Sequence, residues 1–171
     1  MPFRFRRTAM LLPALLIMTI GPLSAQAAGT SRPWTLAAGA ITYRVSSVNG
    51  WAVGPSATAQ RRVHNAVKFD FNAAALLSSG GFYDFSGIAL DAGPSLNRST
   101  GSLDLGIGAG IAFGAGSDSD GTGGGWVGGY VSGQGIAWFS PRAGLLVRGA
   151  FRQMSTARTS PSAQVALALR L

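Results

Sequence analysis

Apolar and polar residues alternate along most of the chain that follows residue 28. In the clearest run, residues 102–113, every second residue is apolar and the residues between them are small or polar. Alternation with a period of two is typical of β-strands, in which successive side chains point to opposite faces. Helical periodicity is hard to find in the same region, so the pattern predicts an all-β protein.

Eight segments show this alternation or the apolar content of a strand. Several reach about 10 residues, the length that a tilted strand needs to cross a bilayer, whereas strands of soluble sandwiches are usually about 5–6 residues long. We therefore predict an antiparallel up-and-down transmembrane β-barrel, in which an even strand number lets the first and last strands close antiparallel. The predicted strands are Trp34–Ser46, Gly50–Thr58, His64–Leu77, Phe82–Ala92, Ser102–Gly114, Gly124–Phe139, Gly144–Met154 and Ser162–Leu171.

Three of the predicted strands contain features that disturb the pattern. Gly54–Pro55 interrupts the second strand, and Gly133–Gly135 suggests a bulge in the sixth. In the fourth strand, Ile88 and Leu90 share parity with Asp84, so the inward face of this strand is ambiguous.

The first 27 residues have the order of a secretory signal peptide. The basic segment Arg4–Arg7 precedes the 16-residue apolar stretch Thr8–Leu23, and Ala25–Ala27 forms an A-x-A cleavage site. The apolar stretch is shorter than the ~20 residues that a transmembrane helix needs. We expect cleavage before Ala28, which makes residues 1–27 a signal peptide and leaves residues 28–171 as one barrel domain.

The connections between strands predict an orientation. If the C-terminus is periplasmic, the polar, glycine-rich loop with Asp118 and Asp120 is exposed on the outside, and the tight turn at Pro141 lies inside. Long outer loops and short inner turns are usual for such barrels, although the predicted connection Pro94–Thr100 also falls on the inner side. Four tryptophans lie near predicted strand ends, where interfacial girdles occur: Trp34, Trp51, Trp126 and Trp138.

The composition excludes several classes of protein. The 171 residues include no Cys and one His, which excludes disulfide frameworks, Cys-ligated metals and multi-His metal sites. The formal net charge is +8, but the arginines are dispersed and not clustered with stacking aromatics, so no nucleic-acid partner is expected. Only 12% of the residues are charged, whereas about a quarter is typical of soluble domains.

Charged residues within the predicted strands mark the inward face. An eight-stranded barrel is just wide enough for side chains to fill, and buried charges have to pair. We therefore expect the inward aspartates to be bridged to Arg or Lys across the lumen, with the surplus positive charge near the wet rim at Arg170, whereas the glycines at 106, 108 and 110 leave space that a channel could use. The predicted interior charges are Arg44, Lys68, Asp70, Asp84, Asp104, Arg148, Arg152 and Arg170.

The opposite parity of the cleanest strand predicts the lipid-facing wall of the barrel. Leu103, Leu105, Ile107, Ile111 and Phe113 share this parity. Apolar side chains on the outer face are what a transmembrane strand presents to lipid.

No catalytic, cofactor-binding or metal-binding site is predicted. His64 lacks the spacing of a Ser-His-acid site, and we interpret it as a polar residue at the barrel rim. Asp118-x-Asp120 begins like a calcium loop but lacks the later ligands, and we interpret it as an exposed loop. The glycine series at 106–110 does not have the spacing of a phosphate-binding loop.

The signal sequence, the alternating segments and a final strand that runs to the last residue together resemble the small outer-membrane β-barrel proteins of Gram-negative bacteria. Such barrels typically end in a C-terminal aromatic residue, and here Leu171 stands in its place. The resemblance implies location in the cell outer membrane, contact with membrane lipid and lipopolysaccharide, and insertion by the outer-membrane assembly machinery, and it leaves room for a surface partner.

Three functions are compatible with the sequence. The first is a non-enzymatic outer-membrane barrel with a structural, surface-binding or small-solute passage role. The second is a secreted or periplasmic β-rich adhesin or a subunit of a surface assembly. The third is a lipid-modifying outer-membrane enzyme, for which His64 would have to act with a nucleophile.

Overall fold

The computed structural model describes residues 34–45, 50–64, 66–78, 85–118, 121, 123–155 and 159–171, and of Val45 and Asp118 it describes the backbone. Eight strands form a closed antiparallel barrel in which each strand pairs with the next and β8 pairs with β1, as predicted. Among the described residues, no helix is long and apolar enough to cross a membrane. The strands are β1 Trp34–Val45, β2 Gly50–Arg62, β3 Val67–Ser78, β4 Phe85–Thr100, β5 Leu103–Asp118, β6 Gly123–Trp138, β7 Ala143–Met154 and β8 Thr159–Arg170.

Prolines lie inside three of these strands without ending them. Proline has no N–H to donate to a ladder, and Pro55, Pro94 and Pro161 are each paired with only one neighbouring strand, while the register continues on both sides of each proline. The prediction that Pro94–Thr100 is a connection was therefore wrong: the segment belongs to β4. The turn that follows it consists of residues 101–102, and Gly101 has the positive φ of 60° that such a turn requires.

The sixth strand is regular where a bulge was predicted. Gly133–Gly135 pairs residue by residue with β5 and with β7, and the register is the same before and after this segment. In the described residues, the register of β6 is therefore the same along the whole strand.

The connections are short at both ends of the barrel. We call the end that holds Trp34 and Leu171 the terminal end, and the opposite end the distal end. The terminal end has the connections 63–66, 101–102 and 139–142, and the distal end has 46–49, 79–84, 119–122 and 155–158. The predicted contrast between long outer loops and short inner turns is therefore small, since no connection exceeds six residues.

Large apolar side chains cover the outer wall. Leu103, Leu105, Ile107, Ile111 and Phe113 are all exposed on the outer face of β5, which agrees with the predicted parity. Comparable residues continue around the barrel, including Phe71 on β3, Val131 on β6, Phe151 on β7 and Leu167 on β8. In the described residues, the hydrophobic surface is thus on the outside and most of the charge is on the inside.

The interior has three levels along the barrel axis. Toward the distal end lies an apolar cluster that includes Ile41, Tyr43, Leu76, Phe85 and Met154, with Trp126 packed against it. Toward the terminal end lies a second cluster of Ala37, Ile136, Trp138, Leu146, Ala166 and Ala168. The level between these clusters is polar and contains most of the buried charges.

Candidate functional site

Asp91 is the centre of the polar level. Arg152 donates from Nε to Oδ1 at 2.8 Å and from Nη2 to Oδ2 at 2.5 Å, and Arg148 donates from Nη1 to Oδ2 at 3.4 Å. All three side chains are at least 97% buried. The third nitrogen of Arg152, Nη1, donates to Ser162 Oγ at 2.6 Å. The paired N–H groups of Arg152 therefore match the two oxygens of Asp91 in the bidentate geometry that makes such pairs strong.

A second bridge crosses the lumen at Asp70. Gln134 Nε2 donates to Asp70 Oδ2 at 3.1 Å, and both side chains are buried. Asp70 lies on β3 and Gln134 on β6, so this bridge joins strands on nearly opposite sides of the barrel. The sequence predicted that a cation would pair with Asp70, but in the described part of the chain its hydrogen bond across the lumen comes from this amide, and no ion pair there includes Asp70.

A third bridge lies at the terminal end, on Asp104. Its Oδ2 accepts a hydrogen bond from Trp138 Nε1 at 3.0 Å and one from Arg170 Nη2 at 3.3 Å, and Lys68 Nζ is 3.8 Å away. The Arg170 side chain is 38% exposed, so this cation stands at the rim of the lumen. Arg170 also lies over the ring of Trp138, with 4.1 Å from Cζ to the ring centroid.

Uncharged polar side chains fill the level between β2 and β8. Gln164 Nε2 donates to Ser56 Oγ and to Thr58 Oγ1, each at 3.0 Å. The side-chain amide of Asn72 lies 2.9 Å from Thr58 Oγ1. These contacts extend the polar network from the Asp91 cluster to the β1–β2 side of the barrel.

Aromatic rings cover the two central arginines. Arg152 Cζ lies 4.8 Å from the centroid of Tyr43, and Arg148 Cζ lies 5.3 Å from that of Tyr130. A guanidinium over an aromatic face is attracted by the ring quadrupole, more strongly when both groups are desolvated. The rings therefore stabilise the arginines and also occupy space in the lumen.

The inward glycines do not leave the space that the sequence suggested. A Cβ on Gly106 would collide with Asn97 Oδ1, and a Cβ on Gly108 would come within 3.2 Å of both Ser132 Oγ and Ser95 Cβ. A Cβ on Gly110 would collide with the carbonyl oxygen of Ala92 on the adjacent strand. The volume in front of these glycines is thus occupied by neighbouring side chains and backbone.

Arg44 is the predicted interior charge that the structure places elsewhere. Ile41 and Tyr43, which have the opposite parity to Arg44, are both 98% buried in the distal apolar cluster, and Arg44 is exposed on the outer wall. The physical reason is that the lumen itself is apolar at this level. The apolar half of the alternation therefore points inward here, and the rule that assigns apolar residues to the outside fails.

Asp91 is the interior charge that the sequence prediction missed, and Asp84, which was predicted instead, lies outside the described residues. Ile88 and Leu90 are exposed on the outer face of β4. Asp91 has the opposite parity and therefore faces inward. The parity of Ile88 and Leu90 was the signal that could have identified Asp91. The remaining predicted interior residues are buried in the lumen or at its rim: Lys68, Asp70, Asp104, Arg148, Arg152 and Arg170.

The other candidate residues are scattered. His64 is exposed in the turn between β2 and β3, where its N–H and carbonyl both bond to Val67. The side chain of Asp118 and all of Asp120 lie outside the described residues. Trp126 and Trp138 point into the lumen, which corrects their predicted place in an interfacial girdle, whereas Trp51 is exposed on the outer wall. Within the described part of the chain, no group of three acidic, His or Cys side chains could hold a metal ion.

Solved structures of outer-membrane proteins share this architecture. The crystal structure of Neisserial surface protein A matches with a TM-score of 0.64 and 16% identity over 84% of this chain and 98% of that one. The attachment invasion locus protein Ail of Yersinia pestis gives 0.63 and 12% over 83% and 100%, and OprG of Pseudomonas aeruginosa gives 0.62 and 7% over 82% and 96%. No protein-family model and no curated protein sequence matches the chain. The chain therefore has the fold of the eight-stranded outer-membrane barrels.

Proposed function

We propose that this protein is an exported, non-enzymatic barrel of the Gram-negative outer membrane, with a closed lumen and a structural role in the envelope. The observation that carries the proposal is the set of three bridges across the lumen, from Asp91 to Arg152, from Asp70 to Gln134 and from Asp104 to Arg170. Each bridge joins strands that are three apart around the barrel.

The outer wall supports membrane insertion. Water-soluble proteins rarely expose large contiguous apolar patches, but here each strand from β2 to β8 exposes large apolar side chains on the outer wall. A closed barrel also satisfies its backbone hydrogen bonds internally, which is a requirement in hydrocarbon. These two properties favour the outer membrane over the alternative of a secreted or periplasmic adhesin.

The short connections favour a structural role over surface binding. Barrels bind partners through extended outer loops, and here the distal connections have four to six residues. The filled lumen likewise favours a structural role over solute passage. In the lumen, Asp91 and Asp104 are paired with cations and Asp70 with an amide. His64, the candidate base of the enzyme alternative, lies in an exposed turn at the terminal end.

Cell fractionation combined with gel mobility tests the location. We expect the protein in the outer-membrane fraction, where unheated samples should migrate differently from boiled samples in detergent gels because the closed barrel resists unfolding. A protein found in the medium or the soluble periplasm, with the same mobility before and after boiling, would favour the secreted alternative.

Export belongs to the same proposal. The segment 1–27 lies outside the described residues, and its sequence pattern supports removal before Ala28. N-terminal sequencing of the protein from the outer membrane should read from Ala28. Recovery of Met1 on the exported protein would contradict cleavage.

A further inference from the structure

A groove of about 820 Å³ crosses the outer wall between β4 and β7. Its sides are formed by large apolar residues that project outward, namely Leu96, Ile107, Val131 and Phe151. The small residues Ala109, Gly133 and Gly149 also line the groove, which exists because they separate the large side chains at this place.

Two glycines on adjacent strands form the floor of the groove. Gly133 on β6 pairs with Ile107 on β5 and with Gly149 on β7, and both glycines face outward. A Cβ built on either glycine would meet no atom within 4 Å. The barrel therefore does not require glycine at these positions for its own packing, in contrast to the inward glycines, whose Cβ atoms would collide.

The groove continues toward the terminal end and finishes at a cation. A second depression of about 400 Å³ shares Leu96 and Ile107 with the first, and Arg98 lines it. Arg98 is exposed on the same face as Leu96, two residues further along β4. Among the described residues, no ion pair involves Arg98, since the ion pairs there use other cations.

The distribution of carboxylates leaves this end of the groove open to an anion. The three aspartates whose side chains are described, Asp70, Asp91 and Asp104, all lie inside the lumen. No described carboxylate on the outer wall competes for Arg98. An apolar groove that ends at the Arg98 guanidinium fits an amphiphile with a hydrocarbon tail and a phosphate group. The reason is that a guanidinium binds phosphate through paired N–H donors.

We infer that this groove is a binding site for one anionic glycerophospholipid, with an acyl chain over Gly133 and Gly149 and the headgroup phosphate at Arg98. The inference rests on the proposed membrane function, and the terminal end then faces the periplasmic leaflet. A bilayer would bathe the whole wall in lipid, but this place combines a recess for the chain with a cation at its end.

Competition between two lipids tests the inference. The folded protein is placed in micelles with equal amounts of phosphatidylglycerol and phosphatidylcholine of identical chains, and retained lipid is measured by native mass spectrometry. We expect one phosphatidylglycerol per barrel in preference to phosphatidylcholine. The double variant Gly133→Val, Gly149→Val should lower retention of both lipids about tenfold, because valine fills the floor of the groove.

Two further variants separate the parts of the site. Arg98→Gln should retain lipid but lose the preference for phosphatidylglycerol. Gly129→Val is the matched control, since Gly129 also faces outward on β6 but does not line the groove. A Cβ on Gly129 would come no closer than 3.6 Å to another atom. This variant should bind lipid like the unmodified protein.

Several results would overturn the site. The first three are undiminished lipid retention in the double glycine variant, an unchanged preference for phosphatidylglycerol in Arg98→Gln, and a loss of lipid in Gly129→Val equal to that in the double variant. The fourth is a dimer of the unmodified protein that disappears in the double variant, which would show that a second barrel occupies the groove. Gly133→Ala, Gly149→Ala replaces the valine variant if the latter does not fold. Heat-modifiable mobility is recorded for every variant, so failure of the site is distinguished from failure of the membrane proposal.

Discussion

Asp91 accepts hydrogen bonds from Arg152 and Arg148 in the middle of the lumen, and among the described residues both arginines form their ion pairs with this carboxylate. Removing one partner of a buried ion pair leaves an uncompensated charge, which is more costly than the pair itself is stabilising. The stability of the barrel should therefore depend on this single carboxylate more than on any charge of the outer wall.

Asp91→Asn should lower the free energy of unfolding by about 3–5 kcal/mol, because two buried guanidinium groups lose their negative partner. Urea titration of the protein in lipid vesicles, followed by gel mobility, measures the change. Arg142→Gln is the control, since Arg142 is exposed and exposed substitutions usually change stability by about 0.5 kcal/mol or less. Equal stability of Asp91→Asn and the unmodified protein would contradict the role of Asp91.

Residue parity predicts side-chain orientation only where the environments of the two faces differ. On β7, Arg148 and Arg152 alternate with Val147 and Phe151, and the charged pair is buried while the apolar pair is exposed. On β1, the lumen itself is apolar near the distal end, so the apolar side chain of Tyr43 did not indicate the outer face and Arg44 was assigned to the wrong face. Asp91 was missed because the prediction for β4 relied on Asp84 and did not follow Ile88 and Leu90.

At the scale of the strand, the inward glycines let neighbouring backbones approach. Gly110 on β5 faces Gly93 on β4, and a Cβ on Gly110 would lie 2.7 Å from Gly93 Cα. Glycine often marks such close approaches and sharp bends in barrel strands. The sequence shows these glycines but cannot distinguish an open space from a close approach, and their role in channel formation was therefore left open.

Gly110→Ala should destabilise the barrel by about 1–3 kcal/mol, the usual cost of forcing an extra carbon into a packed site. Gly149→Ala should be neutral or stabilising by about 0.4–1 kcal/mol, because its Cβ meets no atom within 4 Å and alanine restricts the unfolded chain. The same urea titration compares the two variants. A larger loss for Gly149→Ala than for Gly110→Ala would contradict the assignment of the two glycine classes.

The outer face of β5 allows a test of lipid exposure at two depths. Ile107→Arg should cost about 2–4 kcal/mol, the cost expected of an arginine at the bilayer midplane, whereas Leu103→Arg at the start of the strand should cost about 0–1 kcal/mol. Both side chains are exposed on the same face, so packing inside the barrel does not enter the comparison. Similar small effects at both positions in vesicles would argue against a hydrocarbon environment for this wall.

At the scale of the whole molecule, the described residues form an eight-stranded barrel with a largely apolar exterior, short connections and a lumen crossed by side chains. The strand count and the fold could be predicted from the sequence because eight alternating segments are long enough to span a bilayer. Whether the lumen is open or filled could not be predicted, since this depends on which side chains meet across the barrel. Asp91 and Arg152 are separated by about 60 residues in the chain, and no local pattern indicates their contact.

Single-channel recording in planar lipid bilayers tests the central claim most directly. The purified folded protein, with insertion verified by heat-modifiable mobility of the same reconstituted sample, should give no large and stable conductance steps, because side chains bridge the lumen at the levels of Asp104, Asp70 and Asp91. Large, stable steps from the inserted protein would contradict the closed lumen and would favour a role in solute passage.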